Sequence, residues 1–150
     1  METPCPIRHL ALRTWGEVPT YARSLIGRCT ELRYLDVNLF NLSFRFEASL
    51  PTFVKLREIR VDRVNLHLIA PLLLKAPNLR TLGLSDVTDW PPESPSLVYY
   101  IGDIPLPAFM LKCLHVFGCL KVGHSAWKWL FSTSHAIDYV ELQNLESLMV

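Results

Sequence analysis

The chain has 150 residues, of which 50% are hydrophobic and 19% are charged. This composition excludes an intrinsically disordered chain, which would contain fewer of the large aliphatic residues that build a core. The formal net charge of +1 provides no field that would attract nucleic acid or an anionic membrane. We therefore expect one domain, of ordinary length, whose partners are recognised through local chemistry.

Targeting signals and cysteine spacing indicate the compartment in which a protein works. The start, Met1–Pro4, is polar and unlike a secretory signal, and the longest apolar stretch, Leu66–Leu74, is too short to span a membrane. The four cysteines show no Cys-x-x-Cys spacing and are too few for a disulfide scaffold. The sequence predicts a cytoplasmic or nuclear protein with reduced thiols and no membrane contact.

A three-point apolar signature recurs along the whole chain. Its residues stand at offsets 0, 3 and 5, as in Leu79, Leu82 and Leu84. The signature begins at Ile7, Leu32, Leu56, Leu79, Leu111 and Ile137, so that successive starts are 25, 24, 23, 32 and 26 residues apart. This pattern is typical of a leucine-rich-repeat solenoid. We predict a single α/β domain over residues 1–150, with six parallel strands on the concave face and short helices and loops on the convex face.

Two of the segments that return from one predicted strand to the next have helical patterns. Pro19 suits the first turn of a helix over Tyr21–Arg28, with Leu25 and Ile26 turned inward. A second helix is predicted over 66–76, since Pro77 disfavours the helical conformation in the residue before it.

The other return segments differ from these two. Residues 43–53 lack a helical period, and we expect irregular structure there. Residues 91–107 form the longest, proline-rich return, an insertion of the kind that solenoids accept without disturbing strand stacking. Ser125 is a suitable cap for a helix over 126–131.

Alternation along each strand predicts which side chains are buried. Offsets 3 and 5 point toward the core, while offsets 2, 4 and 6 point toward solvent. Of the eighteen solvent-facing positions, only Ala11 and Phe117 are clearly apolar. The next inward column is apolar throughout: Trp15, Phe40, Val64, Val87, Cys119 and Leu145. This fourth column supports the same register.

The concave face is the predicted binding site. Its candidate residues are Tyr34, Asp36, Glu58, Arg60, Asp62, His115, Phe117, Tyr139 and Glu141. Aromatic anchors with charges of both signs on a rigid surface suit the capture of a protein or peptide. The alternative is that this face is polar only because a soluble solenoid needs it to be.

The strand residues also include candidates for catalysis and for metal binding. Cys113, His115 and Glu141 are the one set that resembles nucleophile, base and orienting group, as in a thiol hydrolase. The α-carbons of Cys113 and His115 would be roughly 6.5–7 Å apart, and nothing supplies an oxyanion hole. His9 and His115 would be separated by roughly 19 Å, too far to share a metal ion. We therefore expect no enzyme activity, no metal and no cofactor.

Three stretches resemble the leucine-rich-repeat region of fungal F-box proteins: Pro6–Leu12, Cys29–Leu35 and Ala76–Leu82. The resemblance implies the substrate-capture part of a ubiquitin ligase receptor, with no catalytic residue. In this family an F-box helps to dock the Skp–cullin scaffold. Since nothing before Ile7 has room for an F-box, we expect any link to ligase components to be indirect.

The predicted ends of the solenoid suggest an alternative to client capture. The sixth repeat ends in Leu145, Leu148, Met149 and Val150 without a returning helix. Terminal repeats normally need polar caps. We therefore also consider a structural or self-associating fragment of a longer array, joined through its uncapped C-terminal repeat.

Overall fold

The computed structural model describes residues 5–14, 20–39, 50–63, 66–86, 109–118 and 139–143. The six strands are β1 His9–Thr14, β2 Tyr34–Leu39, β3 Glu58–Asp62, β4 Thr81–Ser85, β5 Cys113–Phe117 and β6 Tyr139–Gln143. The two helices in the described ranges are α1 Thr20–Arg28 and α2 Leu66–Leu74. The architecture is therefore α/β, as predicted.

All six strands belong to one parallel sheet, in the order in which they occur along the chain. In every pair the first residue of one strand is aligned with the first residue of the next. The pairing of β1 with β2 extends over six residues and each of the others over five. The paired positions are 25, 24, 23, 32 and 26 residues apart, as the apolar signature predicted. The predicted parallel sheet and its register are confirmed.

The core lies on one side of this sheet. The side chains at offsets 3 and 5 of β2 to β5 are no more than 2% exposed: Leu35, Val37, Ile59, Val61, Leu82, Leu84, Leu114 and Val116. The residues at offset 0 in the same repeats, such as Leu56 and Leu79, are fully buried. Leu10 and Leu12 are only half-buried, because β1 pairs with β2 alone among the strands that the structure describes. Burial thus follows the predicted alternation.

Both helices pack their apolar residues against this core. In α1, Ile26 is buried and Leu25 is half-buried, as predicted. In α2, Leu72 and Leu73 are fully buried. The second helix ends at Leu74, so the prediction that it reaches residue 76 was wrong.

The early end of α2 has a backbone cause. The amide of Lys75 donates to the carbonyl of Leu72, and the amide of Ala76 donates to that of Leu73. These bonds span three residues, which tightens the final turn instead of continuing the α-helix.

Three strands end in the same backbone conformation. The residue after β3, β4 and β5 has a positive φ: 59° at Arg63, 48° at Asp86 and 65° at Gly118. The amide of Arg63 donates to the carbonyl of Ser85, and that of Asp86 to the carbonyl of Phe117. This left-handed residue therefore adds one further hydrogen bond to the ladder before the chain leaves the sheet.

Several predictions concern residues outside the described ranges. These are the inward column from Trp15 to Leu145, the irregular segment 43–49, the proline-rich return 91–107, the helix over 126–131 and the C-terminal residues 144–150. Residues 50–53, the described end of the segment 43–53, are non-helical as predicted.

Within the described ranges, no helix is both long enough and apolar enough to cross a membrane.

Candidate functional site

The sheet surface opposite the core, here called the strand face, carries three rows of residues that run across the strands. The first row contains His9, Tyr34, Glu58, Thr81, Cys113 and Tyr139. The middle row contains Ala11, Asp36, Arg60, Gly83, His115 and Glu141. The third row contains Arg13, Asn38, Asp62, Ser85 and Phe117, and the backbone of Gln143 is aligned with Phe117. All nine predicted binding residues lie in these rows.

At the β1 to β3 end of the strand face, the ion pairs do not form between Asp36 and Arg60, the oppositely charged residues that are aligned in the middle row. Asp36 is aligned with Arg60, yet its Oδ2 lies 3.0 Å from Nη2 of Arg13. The guanidinium of Arg60 instead donates to Oε1 of Glu58, on the same strand, over 3.2 Å. These contacts are solvent-exposed, so each stabilises the fold by no more than about 1 kcal/mol. Their main consequence is to fix where the charges lie.

The β5 to β6 end of the strand face is more aromatic. Phe117 is 44% exposed and Tyr139 is 50% exposed. The ring of Tyr139 lies 5.4 Å from that of His115, centroid to centroid. Nδ1 of His115 lies 2.9 Å from Oε2 of Glu141, which brings together the pair that the sequence had placed side by side. Two exposed aromatic side chains therefore lie at this end of the strand face, and the ring of Tyr139 contacts the His115 imidazole.

Cys113 occupies the first row, two residues from His115 on the same strand. It is a free, half-buried cysteine. Within the described part of the chain, its thiol forms no hydrogen bond with the His115 ring, whose Nδ1 is paired with Glu141. The structure thus brings the candidate base, His115, into contact with the candidate orienting group, Glu141, but does not bond the candidate nucleophile, Cys113, to His115.

Asp62 lies in the most crowded part of the third row. Its Oδ2 accepts a hydrogen bond from Nδ2 of Asn38 over 3.1 Å, and Nε of Arg63 is 4.0 Å from its Oδ1. Burial raises the pKa of Asp62, and the carboxylates of Asp86 and Asp36 raise it further, against the lowering effects of Arg63 and of the Ser85 hydrogen bond. The folded chain therefore disfavours the ionised form of this side chain.

Two oxygen atoms in this crowded region accept no hydrogen bond. Oδ1 of Asn38 and Oδ1 of Asp62 are both shielded from solvent and have no hydrogen-bond partner. Buried acceptors without a partner are uncommon, because each retains the cost of its lost hydration.

A cavity of about 240 Å³ opens on the strand face above Gly83. Arg60 and His115 line its two sides, in register with the glycine, while Asp62, Ser85 and Phe117 line the end toward the third row. A β-carbon at Gly83 would lie 3.3 Å from Cγ of Arg60. The cavity exists because this middle-row position has no side chain.

Sequence reasoning missed Gly83, Ser85 and Asn38 as parts of the site. A signal for Gly83 was present, since the predicted register places a glycine between Arg60 and His115. The roles of Asn38 and Ser85 depend on side-chain conformation at Asp62, which a periodic pattern does not specify.

Within the described residues, no group of three or more His, Cys, Asp or Glu side chains is arranged to hold a metal ion. Comparison of the chain with protein-family models, with curated proteins and with solved structures finds no match.

Proposed function

We propose that this chain is a leucine-rich-repeat solenoid that captures a protein or peptide on its strand face and catalyses no reaction. The observation that carries the proposal is the strand face itself, on which all nine candidate residues stand in three aligned rows. A surface made in this way is rigid, and rigidity reduces the entropy lost on binding.

The repeat architecture is supported by three independent regularities. The strand pairing repeats at the period of the apolar signature. The buried columns repeat in β2 to β5, and the left-handed residue recurs after β3, β4 and β5. Each regularity is expected when one structural unit of about 20–29 residues is stacked on copies of itself.

The binding role is supported by the chemistry of the strand face. Aromatic side chains are frequent anchors in protein interfaces, and Phe117 and Tyr139 are both exposed on the strand face. Charges of both signs at the other end of the face provide specificity through complementarity.

The cellular setting comes from the sequence resemblance alone. The three stretches that resemble fungal F-box proteins, Pro6–Leu12, Cys29–Leu35 and Ala76–Leu82, favour the substrate-capture part of an F-box-like ubiquitin ligase receptor, acting in the cytoplasm or nucleus. In that setting the client binds the repeats directly, and the Skp–cullin components are recruited through another polypeptide segment.

The proposal is tested by quantitative pull-down from a fungal lysate with three forms of the chain. We expect wild-type protein to enrich a client that Arg60→Glu loses, because the charge on the strand face is reversed. Arg80→Glu is the matched control, since Arg80 is exposed immediately before β4 and outside the three rows. Equal recovery with wild type and Arg60→Glu would reject the strand face as the binding site.

The same experiment separates the other interpretations. Co-enrichment of ligase subunits supports the F-box-like setting. Recovery of further copies of this chain alone, unaffected by Arg60→Glu, supports the structural or self-associating alternative.

A further inference from the structure

A row of cations lies where the strands begin, one residue after the first position of the apolar signature. This basic row consists of Arg8, Arg33, Arg57, Arg80 and Lys112. We propose that it is a second binding surface, which takes an extended acidic peptide segment of a protein other than the client. Neither this surface nor its partner belongs to the proposed client-binding function.

Backbone hydrogen bonds fix the spacing of the basic row. The amide of Arg33 donates to the carbonyl of Arg8 over 2.7 Å. In the same way Arg57 donates to Arg33 over 2.9 Å, and Arg80 donates to Arg57 over 2.9 Å. The amide of Lys112 donates to the carbonyl of Arg80 over 2.8 Å. Consecutive members are therefore neighbours across the parallel sheet, about 4.8 Å apart, and the row extends over roughly 19 Å.

The side chains of the basic row are presented to solvent. All of them are exposed, whereas the signature leucine before each of the last four is fully buried. Arg33 and Arg80 form no ion pair with any residue that the structure describes. The guanidinium of Arg57 donates to a neutral partner, the carbonyl of Asn78, over 3.1 Å. An anionic ligand can therefore reach these charges.

The described carboxylates that adjoin the basic row are paired with cations outside it. Glu31 pairs with Lys55, and Glu58 pairs with Arg60 on the strand face. In the sixth repeat the sequence has Asp138 at the matching position, so the run of cations covers the first five repeats. Neither of the two paired carboxylates neutralises the row.

The charges of the basic row oppose one another. Like charges at aligned positions on neighbouring strands destabilise a sheet. The row therefore carries a cost in folding free energy that a bound anion would offset. A carboxylate is a suitable anion, because a guanidinium pairs with it through two parallel hydrogen bonds.

The shape of the basic row and the apolar residues beside it favour a peptide. The row is one residue wide, which suits a chain and not the flat surface of a membrane. The short segments that lead into it carry two exposed aliphatic side chains, Val54 at 51% and Met110 at 52%. An extended peptide directs alternate side chains to opposite sides, so its carboxylates can meet the cations while its aliphatic groups pack on Val54 and Met110.

The surroundings of the basic row suit a nucleic acid less well. Proteins that hold single strands stack the bases on aromatic side chains. The nearest exposed or half-buried tyrosines, Tyr34 and Tyr139, already lie against His9 and His115, with ring centroids 5.9 and 5.4 Å apart. The carboxylate of Glu58, aligned with Tyr34, would also repel a phosphate backbone.

Fluorescence anisotropy with a labelled peptide tests the proposal on the full chain. The probe is an octapeptide in which glutamate and valine alternate, and its neutral counterpart has glutamine in place of each glutamate. We expect saturable binding of the acidic peptide, about tenfold or more tighter than that of the glutamine peptide. An oligothymidylate of equal charge and vesicles of phosphatidylserine should both bind more weakly than the acidic peptide.

Two double variants of equal net charge locate the binding surface. Arg33→Gln combined with Arg80→Gln removes two charges of the basic row and should weaken acidic-peptide binding about tenfold. Arg13→Gln combined with Arg60→Gln removes two exposed charges of the strand face and should leave the affinity within about twofold. All four side chains are exposed, so neither variant opens a space in the core.

NMR shifts of the wild-type chain locate the peptide without any substitution. The acidic peptide should shift the amides of Arg33, Arg57 and Arg80 and leave those of Gly83 and Phe117 unchanged. Shifts confined to the strand face would overturn the proposal.

Four further outcomes would also overturn it: no saturable binding, equal affinity for the glutamine peptide, tighter binding of the oligothymidylate or the vesicles, or equal losses in the two double variants. None of them affects the client loss expected for Arg60→Glu. Arg80→Glu remains the control for that loss, because the client is a different partner. The second surface can therefore be rejected while the proposed function stands.

Discussion

Single residues determine what the strand face can hold. In the middle row, β2, β3, β5 and β6 each carry a charged or polar side chain, whereas β4 carries Gly83. The missing side chain leaves a space at this position. Asp62 contributes a carboxylate that the fold disfavours in its ionised form. The first residue provides room and the second provides charge. Both belong to the same cavity.

Asp62 leads to a prediction about pH and stability. Because its pKa in the folded chain is raised above the ordinary value of 3.8, the folded state favours the protonated carboxyl. The resulting stability is present below that ordinary value and is lost as the pH rises through the raised pKa. At about pH 7, Asp62→Asn should therefore leave the free energy of unfolding unchanged or increase it. The increase should not exceed about 1 kcal/mol, since the side chain is partly screened by water.

Urea unfolding of wild type and Asp62→Asn at about pH 7 measures this effect. Asp36→Asn is the contrasting variant, because Asp36 forms a direct ion pair with Arg13. A loss of more than about 1 kcal/mol in Asp62→Asn would show that the ionised carboxylate stabilises the fold.

Cys29 gives a second prediction at the residue scale. Burial, together with the charge and the hydrogen bond of the neighbouring Cys5, raises the pKa of this thiol from 9.0 to about 11. The thiolate is the reactive form, so Cys29 should be alkylated much more slowly than the half-buried Cys113 in the folded chain at about pH 8. Peptide mapping by mass spectrometry reports both rates. Similar rates at the two cysteines would contradict the burial of Cys29.

Ionisation of the Cys29 thiol should lower the free energy of unfolding in alkaline solution. Its protonated form is favoured in the folded chain, so this contribution is complete below pH 9.0 and is lost as the pH rises toward about 11.

At the scale of elements, the strands were predictable and their ends were not. Leu82 and Leu84 alternate with residues that tolerate solvent, and a shift by one residue would expose the whole apolar column, so the register was determined by the pattern. The left-handed conformation of Arg63 carries no such signal, because positive φ among residues other than glycine is enriched only in asparagine, aspartate and histidine.

Gly118 is where the strand-end conformation is most sensitive to substitution. Its φ is 65°, and a β-carbon there would also meet Oδ1 of Asp86. Gly118→Ala should therefore destabilise the chain by about 1–2 kcal/mol. Gly27→Ala is the control. It lies inside α1 with open space around it, so the same change should stabilise by about 0.5–1 kcal/mol. If Gly118→Ala unfolds at a higher temperature than Gly27→Ala, the left-handed conformation at residue 118 is not needed for stability.

At the scale of the whole molecule, the periodic features of the site were predictable and the local ones were not. The rows that hold Tyr34, His115 and Glu141 follow from the repeat period, so their common face could be deduced in advance. The ion-pair partner of Asp36 could not be deduced, since Arg13 and Arg60 are both near it and the choice between them depends on side-chain rotamers. The cavity likewise depends on how the side chain of Arg60 leans toward Gly83.

We propose that the client binds the strand face and not the other described surfaces of the chain. Photo-cross-linking with p-benzoylphenylalanine distinguishes these surfaces. The cross-linker would replace Tyr139 on the strand face in one form and Val54, which is exposed away from the three rows, in another. We predict a covalent adduct with the client from position 139 and none from position 54. An adduct formed only from position 54 would contradict the claim.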